Sequence, residues 1–465
     1  MKHYPILFMI LLSCWFSGRL TAQEAGKPFS LKEAQEYALK HHAAAKNAGI
    51  DLELAKKKIW ETTAIGLPQV NASVSYQYML DVPTTLLPDF ITPAIIGVNK
   101  QLFGLELIEP EPPIQYFPAK FGTEQNLSLQ GSLSQLIFNG QYLVGLQAAR
   151  TFYRSAEKNL EKTNIEVRAN LTQTYYMLAV FTENRKLLAK TVTSVERTLF
   201  ELEESYKNGL VEDIVVDQMK YNLTNLRNTL SAVDGQLQVA GKLLKFQMGL
   251  EPAENITITD SVPVLLEDMN QLPMAAGTFK AENHIDYRIV ETGEQLQYLN
   301  LRKEQANYMP VLSAFFTRQE NAMRDKFDFL DKSGEWYPTT ILGISLSVPI
   351  FTSGMQHARV QQARLELEKM RNTKDQVKQG LSLAAEEARI NYNNALDKFL
   401  AEKDNLSLSD KIYQKTLIKF REGIASSTDL TQNYNQYLTS QSTYFNTLFE
   451  LLTARIALDK AYQQF

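Results

Sequence analysis

The sequence predicts a mainly α-helical protein that also carries membrane-type β-strands, built from one strand-pair and long-helix unit written twice. Three observations predict this. Motifs recur in the same order in both halves: Leu67-Pro68 is echoed by Met309-Pro310, Ile137-Phe138-Asn139-Gly140 by Ile350-Phe351-Thr352-Ser353-Gly354, and Tyr206-Lys207-Asn208-Gly209-Leu210 by Phe420-Arg421-Glu422-Gly423-Ile424. Ordered self-similarity of this kind marks a duplicated scaffold. Segments of strict apolar and polar alternation follow Pro68 and precede Phe351, the period of a strand with two unlike faces. Residues 141–207 contain no proline and one early glycine, Gly145, and their apolar positions step by three and four, the period of a helix seam.

The chain opens with Lys2, an apolar run from Ile6 to Leu12, and Leu20-Thr21-Ala22 ahead of Gln23. This is a secretory leader, residues 1–22, with cleavage after Ala22. Leu11-Leu12-Ser13-Cys14 offers a second processing point that would make Cys14 a lipid-bearing N-terminus. Cys14 is the only cysteine, so no disulfide framework, cysteine metal site or cysteine nucleophile is expected. The formal net charge is −4, and losing Lys2 and Arg19 makes the chain more acidic. With no basic run, nucleic acid is not an expected partner. Beyond the leader no apolar stretch is long enough for a transmembrane helix. A membrane crossing would therefore need a closed β-barrel, which satisfies its backbone groups internally.

The first repeat is expected over 23–250. A helix from Leu31 to Thr63 leads to a strand over about 68–79, where Val70, Ala72 and Val74 alternate with Asn71, Ser73 and Ser75. Its partner strand, about 123–138, sets Leu127 and Leu129 against Ser128 and Gln130. Between them, seven prolines from Pro83 to Pro118 predict a long surface loop without regular structure over Asp81–Lys120. Long helices follow over 141–207 and 214–249. Residues 251–277, with Pro252, Pro263 and Pro273, form a linker.

The second repeat, 278–465, predicts strands over about 310–319 and 339–350 and long helices over 354–421 and 428–463. Leu342, Ile344 and Leu346 alternate with Gly343 and Ser345. The strand after Pro310 alternates poorly and is assigned because the repeat requires one. A charged loop is expected over Glu320–Pro338. Gly209 and Gly423 are placed to end the long helices in a left-handed cap. Asp213, and Ser427 or Thr428, are candidate N-caps of the returning helices.

Alternation suits a barrel wall whose apolar side meets lipid and whose polar side lines a wet lumen. A one-sided soluble sheet alternates in the same way. The leader and the missing transmembrane helix favour the membrane, with Val70, Ala72, Val74, Leu127, Leu129, Leu342, Ile344 and Leu346 toward lipid. Four strands cannot close a barrel, since about eight is the lower limit. Oligomerisation is then required.

In these motifs, from about residue 30 to 463, the chain resembles the TolC-like outer-membrane efflux family. The resemblance implies a homotrimer with a shared twelve-stranded barrel in the outer membrane and a periplasmic α-helical coiled-coil tunnel. It implies as partners a periplasmic adaptor (membrane fusion) protein and an inner-membrane pump of RND, ABC or MFS type. The docking tips would be Tyr206, Gly209, Leu210 and Asp213 in the first repeat and Phe420, Gly423, Ile424 and Ser427 in the second. In the family, inward carboxylates follow the second tip glycine by six and nine residues, which are Asp429 and Gln432 here, so only one acidic ring is retained. The position that can carry a basic gating residue is Ala425. Read from the residues alone, Asp429 is equally an early-helix acid favoured by the helix dipole.

No phosphate-binding loop, paired-histidine helix or nucleophile elbow occurs. His41-His42 are adjacent and so do not share a helix face. Neither an enzyme, a cofactor nor a metal is expected. The functional reading is a passive exit duct of a tripartite efflux or type I secretion system. The rival is a secreted or surface coiled-coil protein without a pore.

Overall fold

The computed structural model describes residues 27–89, 91–104, 115–271, 279–331 and 334–465. The predicted leader, with Cys14, lies outside them, as does the end of the linker. In chain order the elements are β1 (Lys27–Phe29), α1 (Leu31–His41), α2 (Ala43–Ile65), β2 (Gln69–Tyr78), β3 (Thr84–Pro88), α3 (Ile91–Phe103), β4 (Tyr116–Lys120), β5 (Gln125–Asn139), α4 (Gly140–Lys207), α5 (Asp213–Met248), β6 (Ile256–Ile258), α6 (Val262–Gln271), α7 (Ile285–Ala306), β7 (Val311–Arg324), β8 (Tyr337–Ser347), α8 (Met355–Arg421) and α9 (Ser427–Ala461). They form two compact units. Of the described residues, one unit holds those within 57–150 and 297–366, and the other holds those within 27–56, 151–296 and 367–465.

The first unit is organised by an antiparallel sheet in the order β2-β5-β7-β8. Sequential hairpins supply two pairs, and the duplication places the second strand of one repeat beside the first strand of the other. Gly140 starts α4 where a Cβ would meet the sulfur of Met309 and the Cβ of Ala306. Close approach, not flexibility, selects glycine there.

The stretch expected to be irregular, Asp81–Lys120, is instead largely ordered. β3 and β4 form an antiparallel ribbon, with Leu86 opposite Pro118 and Pro88 opposite Tyr116, and α3 lies between them. Both strands of a two-stranded ribbon are edges, where a missing N–H is tolerated. Pro93 falls in the first turn of α3, where the N–H is unsatisfied anyway. Asp89 Oδ1 accepts from the amides of Ile91 and Thr92 at 3.0 and 2.9 Å, starting that helix. Residues 105–114, with three of the prolines, lie outside the described residues.

Strand limits also differ. β7 runs to Arg324, so Glu320 belongs to the strand and not to the charged loop. β8 stops at Ser347, before Pro349 and the left-handed pair Ser353 (φ 50°) and Gly354 (φ 79°). The linker is more than a connection: β6 pairs in parallel with β1, and α6 follows.

In the second unit the long helices bury their seams against one another. One cluster joins Leu171 and Tyr175 of α4, Leu244 and Met248 of α5, Tyr392 and Phe399 of α8, and Leu448, Leu451 and Leu452 of α9. A second, nearer the hairpin ends, joins Leu188, Val195 and Leu202 to Leu223, Leu226, Tyr413, Leu417, Leu430 and Tyr434. Each such side chain contributes about 1.5–3 kcal/mol on full burial. The seam on α4 includes Val167, Leu171, Leu188, Val192, Val195 and Leu202 as buried residues, as its periodicity predicts.

Ion pairs fasten α7 to both long helices. Glu294 accepts from Arg371 Nε at 3.0 Å and also pairs with Lys374, while Lys162 reaches Asp286 at 2.8 Å and Arg288 reaches Glu161 at 3.0 Å. The hydrogen bond from Lys374 holds the Glu294 carboxyl below the usual carboxylate range, against the opposing effect of burial.

Candidate sheet faces and hairpin tips

The sheet has two unlike faces, and register fixes them. Val70 stands opposite Leu133, Leu133 opposite Phe316, and Phe316 opposite Leu342. Val74 stands opposite Leu129, and Leu312 opposite Leu346. All eight residues expected on the lipid side lie on this one face. Val70, Val74, Leu342 and Ile344 are each more than 70% exposed in the single chain, while Leu127 is half-buried. The other face pairs Ser73 with Gln130, Ser128 with Asn321, and Ser313 with Ser345. Gln319 Nε2 donates to Ser128 Oγ at 2.8 Å across that polar face. A bulge between Leu136 and Phe138 keeps Phe138 in the apolar row.

The strands carry three charged residues, Arg318, Glu320 and Arg324, all on β7 and all on the apolar side. Arg318 donates from Nη2 and Nε to Glu320 Oε1 at 2.7 and 3.0 Å. Gly131 and Thr340 flank Arg318 on the neighbouring strands. The sequence reading missed this pair because β7 alternates poorly. Its signal was present: opposite charges two residues apart share one face of a strand. The polar face, by contrast, carries only neutral amide, hydroxyl, apolar and aromatic side chains over these four strands.

The hairpin ends are built alike in the two repeats. The amide of Gly209 donates to Tyr206 O at 2.9 Å and that of Leu210 to Ser205 O at 2.9 Å. The amide of Gly423 donates to Phe420 O at 2.9 Å and that of Ile424 to Lys419 O at 2.8 Å. Both are Schellman closures, with φ of 75° at Gly209 and 71° at Gly423. Tyr206, Leu210 and Ile424 are exposed, and Phe420 packs against the second helical cluster. One cleft is lined from both tips, by Leu202, Leu210 and Val211 together with Phe420, Arg421 and Gly423. Arg421 pairs with Glu201 at 2.8 Å across it.

The returning helices start differently from expectation. The N-cap of α5 is Glu212, without a side-chain cap bond, and Asp213 is its first helical residue. The N-cap of α9 is Ser426, not Ser427 or Thr428. Asp429 completes a capping box with Ser426, a pairing that requires the acid three residues after the cap. The Ser426 hydroxyl bond holds the Asp429 carboxyl below the usual carboxylate range. Gln432 is exposed and Ala425 half-buried. Behind the tip, Tyr413 stacks on Tyr437 at 5.7 Å and tilts against Tyr434 at 5.5 Å. Burial pushes the Tyr413 hydroxyl up to about 12.

Among the described residues no helix is long and apolar enough to cross a membrane. The class the fold defines is a four-stranded sheet with one apolar and one polar face, together with paired long helical hairpins. Residues 300–462 match the sequence model of the outer membrane efflux protein family. The chain is similar in fold to the outer membrane protein VceC from Vibrio cholerae, with 15% identity, 93% of this chain and 95% of that one covered, and a TM-score of 0.66. It is also similar to the Campylobacter jejuni CmeC outer membrane channel (16% identity, 93% and 85% covered, TM-score 0.68). A third likeness is to the open state of the Neisseria gonorrhoeae MtrE outer membrane channel (14% identity, 93% and 88% covered, TM-score 0.67). No curated protein matches the chain by sequence similarity. The family match falls within the second repeat, and the chain as a whole has the fold of these outer membrane channels.

Proposed function

We propose that the chain is one third of an outer-membrane exit duct. Three copies would share a twelve-stranded barrel and a periplasmic helical tunnel, passively conducting cargo from an inner-membrane pump and a periplasmic adaptor. The observation that carries this reading is the sheet itself. Among the described residues its end strands β2 and β8 have no outer partner in the sheet, and four strands cannot close on themselves. Pairing β8 of one copy with β2 of the next removes every open edge. Exposed apolar side chains on the long helices, such as Phe200 at 64%, Tyr221 at 69% and Leu383 at 70%, are also what a protomer interface would cover.

Adaptor docking is assigned to the two glycine tips, which share one cleft. The aperture is assigned to Asp429, with Gln432 and Ala425 beside it. An exposed, ionised Asp429 from each copy would ring the axis and favour cations. The repeats are read as efflux units over 23–250 and 278–465, separated by an equatorial segment. RND, ABC or MFS pumps and type I secretion all fit this geometry.

The test is extraction of the protein from outer membranes in mild detergent. Heat-modifiable trimers that conduct in a planar bilayer are expected. A monomeric, non-conducting protein would favour the pore-free coiled-coil reading.

A further inference from the structure

The segment after β7 doubles back onto the apolar face of the sheet. Phe327 and Phe329 meet Tyr76 of β2 edge to face at centroid distances of 5.6 and 6.0 Å, and each other at 5.5 Å. Phe329 is 6% exposed, and Ala322 is fully buried. Ala322 stands opposite Leu127, which stands opposite Tyr76. The segment therefore reaches over the apolar row from β7 to β2.

Arg324 fixes the fold-back. Its Nη1 donates to the carbonyl and carboxylate of Asp328 at 3.1 and 3.0 Å, and its guanidinium carbon lies 5.7 Å from the centre of the Phe329 ring. A Cβ at Gly334 would overlap that guanidinium, so glycine leaves it room.

The same segment leaves two apolar side chains largely exposed. Phe327 is 67% exposed and Leu330 93%. Phe327 adjoins Tyr76, which lies two residues beyond Val74 on the same face of β2, and the charged residues Asp325, Lys326 and Asp328 lie between and beside the two exposed tips in the chain. Apolar and aromatic tips set among charges at the end of a lipid-facing wall suit a membrane–water interface. The exposed tips are uncharged and continuous with the wall, which selects acyl chains as the occupant.

We propose that the turn Asp325–Asp331 is an outer-leaflet anchor. It wedges Phe327 and Leu330 among the acyl chains beside the wall and fixes the depth at which the wall sits. This rests on the reading above that the apolar face meets lipid.

The test is fluorescence quenching by phosphatidylcholine vesicles brominated on the acyl chains. Single tryptophans would be placed by Leu330→Trp, Val74→Trp and Ser128→Trp in full-length mature protein carrying Trp60→Phe and Trp336→Phe. Leu330 is almost free of packing, so its substitution leaves the fold intact. Loss of fluorescence at Leu330→Trp as large as at Val74→Trp, with Ser128→Trp spared, is the expected result. Quenching at Val74→Trp without quenching at Leu330→Trp overturns the anchor while leaving the lipid-facing wall in place, whether water or a protein covers the turn. Quenching at Ser128→Trp but not at Val74→Trp reverses the faces and overturns both.

Discussion

Ser426 and Asp429 hold each other across the first turn of α9. The Ser426 hydroxyl donates to Asp429 Oδ2 at 2.7 Å, and the Asp429 amide donates to Ser426 Oγ at 3.1 Å. One carboxylate thus starts a helix and is also the charge assigned to the aperture. Substitution separates the two roles. Asp429→Asn removes the charge, whereas Ser426→Ala removes the cap and keeps the charge. Single-channel recording is expected to show weakened cation selectivity and weakened multivalent-cation block only in Asp429→Asn. The carboxyl is depressed by its bonds to Ser426, so block should persist as pH falls to about 4, the ordinary carboxylate range, and fade below it. Asp217→Asn should matter less. Equal recordings from wild type and Asp429→Asn would leave the residue a cap and place the constriction elsewhere.

Gly209 and Gly423 occupy left-handed backbone at both tips. A valine there costs roughly 1–2 kcal/mol of local strain. Gly209→Val with Gly423→Val should give assembled, heat-modifiable trimers that no longer support export or cross-link to an adaptor. Normal export from the double variant would remove the tips from the docking surface.

The two faces of the sheet predict opposite tolerance to charge. Val74→Arg should destabilise the folded barrel in vesicles by about 2–4 kcal/mol if it lies near mid-membrane, and Ser128→Arg by less. Denaturant unfolding in vesicles measures both. Equal losses would mean that neither face is distinguished by lipid.

Arg318 and Glu320 neutralise each other on the apolar face. With this face toward lipid, as proposed, Arg318→Leu would strand a carboxylate against lipid and Glu320→Leu a guanidinium. Either single change should lower the yield of heat-modifiable trimer, and the double change should restore it, because removing one partner costs more than replacing both. A double variant no better than the worse single one would show that the pair is held by something other than mutual neutralisation.

Glu294 should make the attachment of α7 sensitive to acid. Its folded carboxyl is depressed, so its contribution is present above the unfolded value of about 4.3 and is lost as pH falls through the lower folded value. Lys374 is raised chiefly by its bond to Glu294, so its share is present below its unfolded value and is lost as pH rises through the folded one. The pair is intact between these limits. The melting-temperature gap between wild type and Glu294→Gln should be widest near neutral pH and should close on acidification. A gap unchanged down to pH 3 would assign the stabilisation to packing.

The sequence by itself determined the parts whose pattern is local. Alternation in β2, β5 and β8 wrote the two faces, because strand side chains point to opposite sides with period two. The glycines at 209 and 423 wrote the helix ends, because left-handed caps favour a residue without a Cβ. The duplicated motifs wrote the order of the four sheet strands and the long helices, and the resemblance. Tertiary structure alone decided what depends on neighbours distant in the chain. Prolines at 88, 93 and 118 looked like breaks until pairing put two on edge strands and one in a first helical turn. Ser426 outcompeted Ser427 as the cap because its hydroxyl, with Asp429 three residues on, satisfies free amides at both positions. The strand after Pro310 alternates poorly, and only its register between β5 and β8 put Arg318 and Glu320 on the apolar face, while ring packing brought the turn beyond it back to Tyr76. Long-range pairing and ring packing leave no period in the sequence, so folding was needed to reveal them.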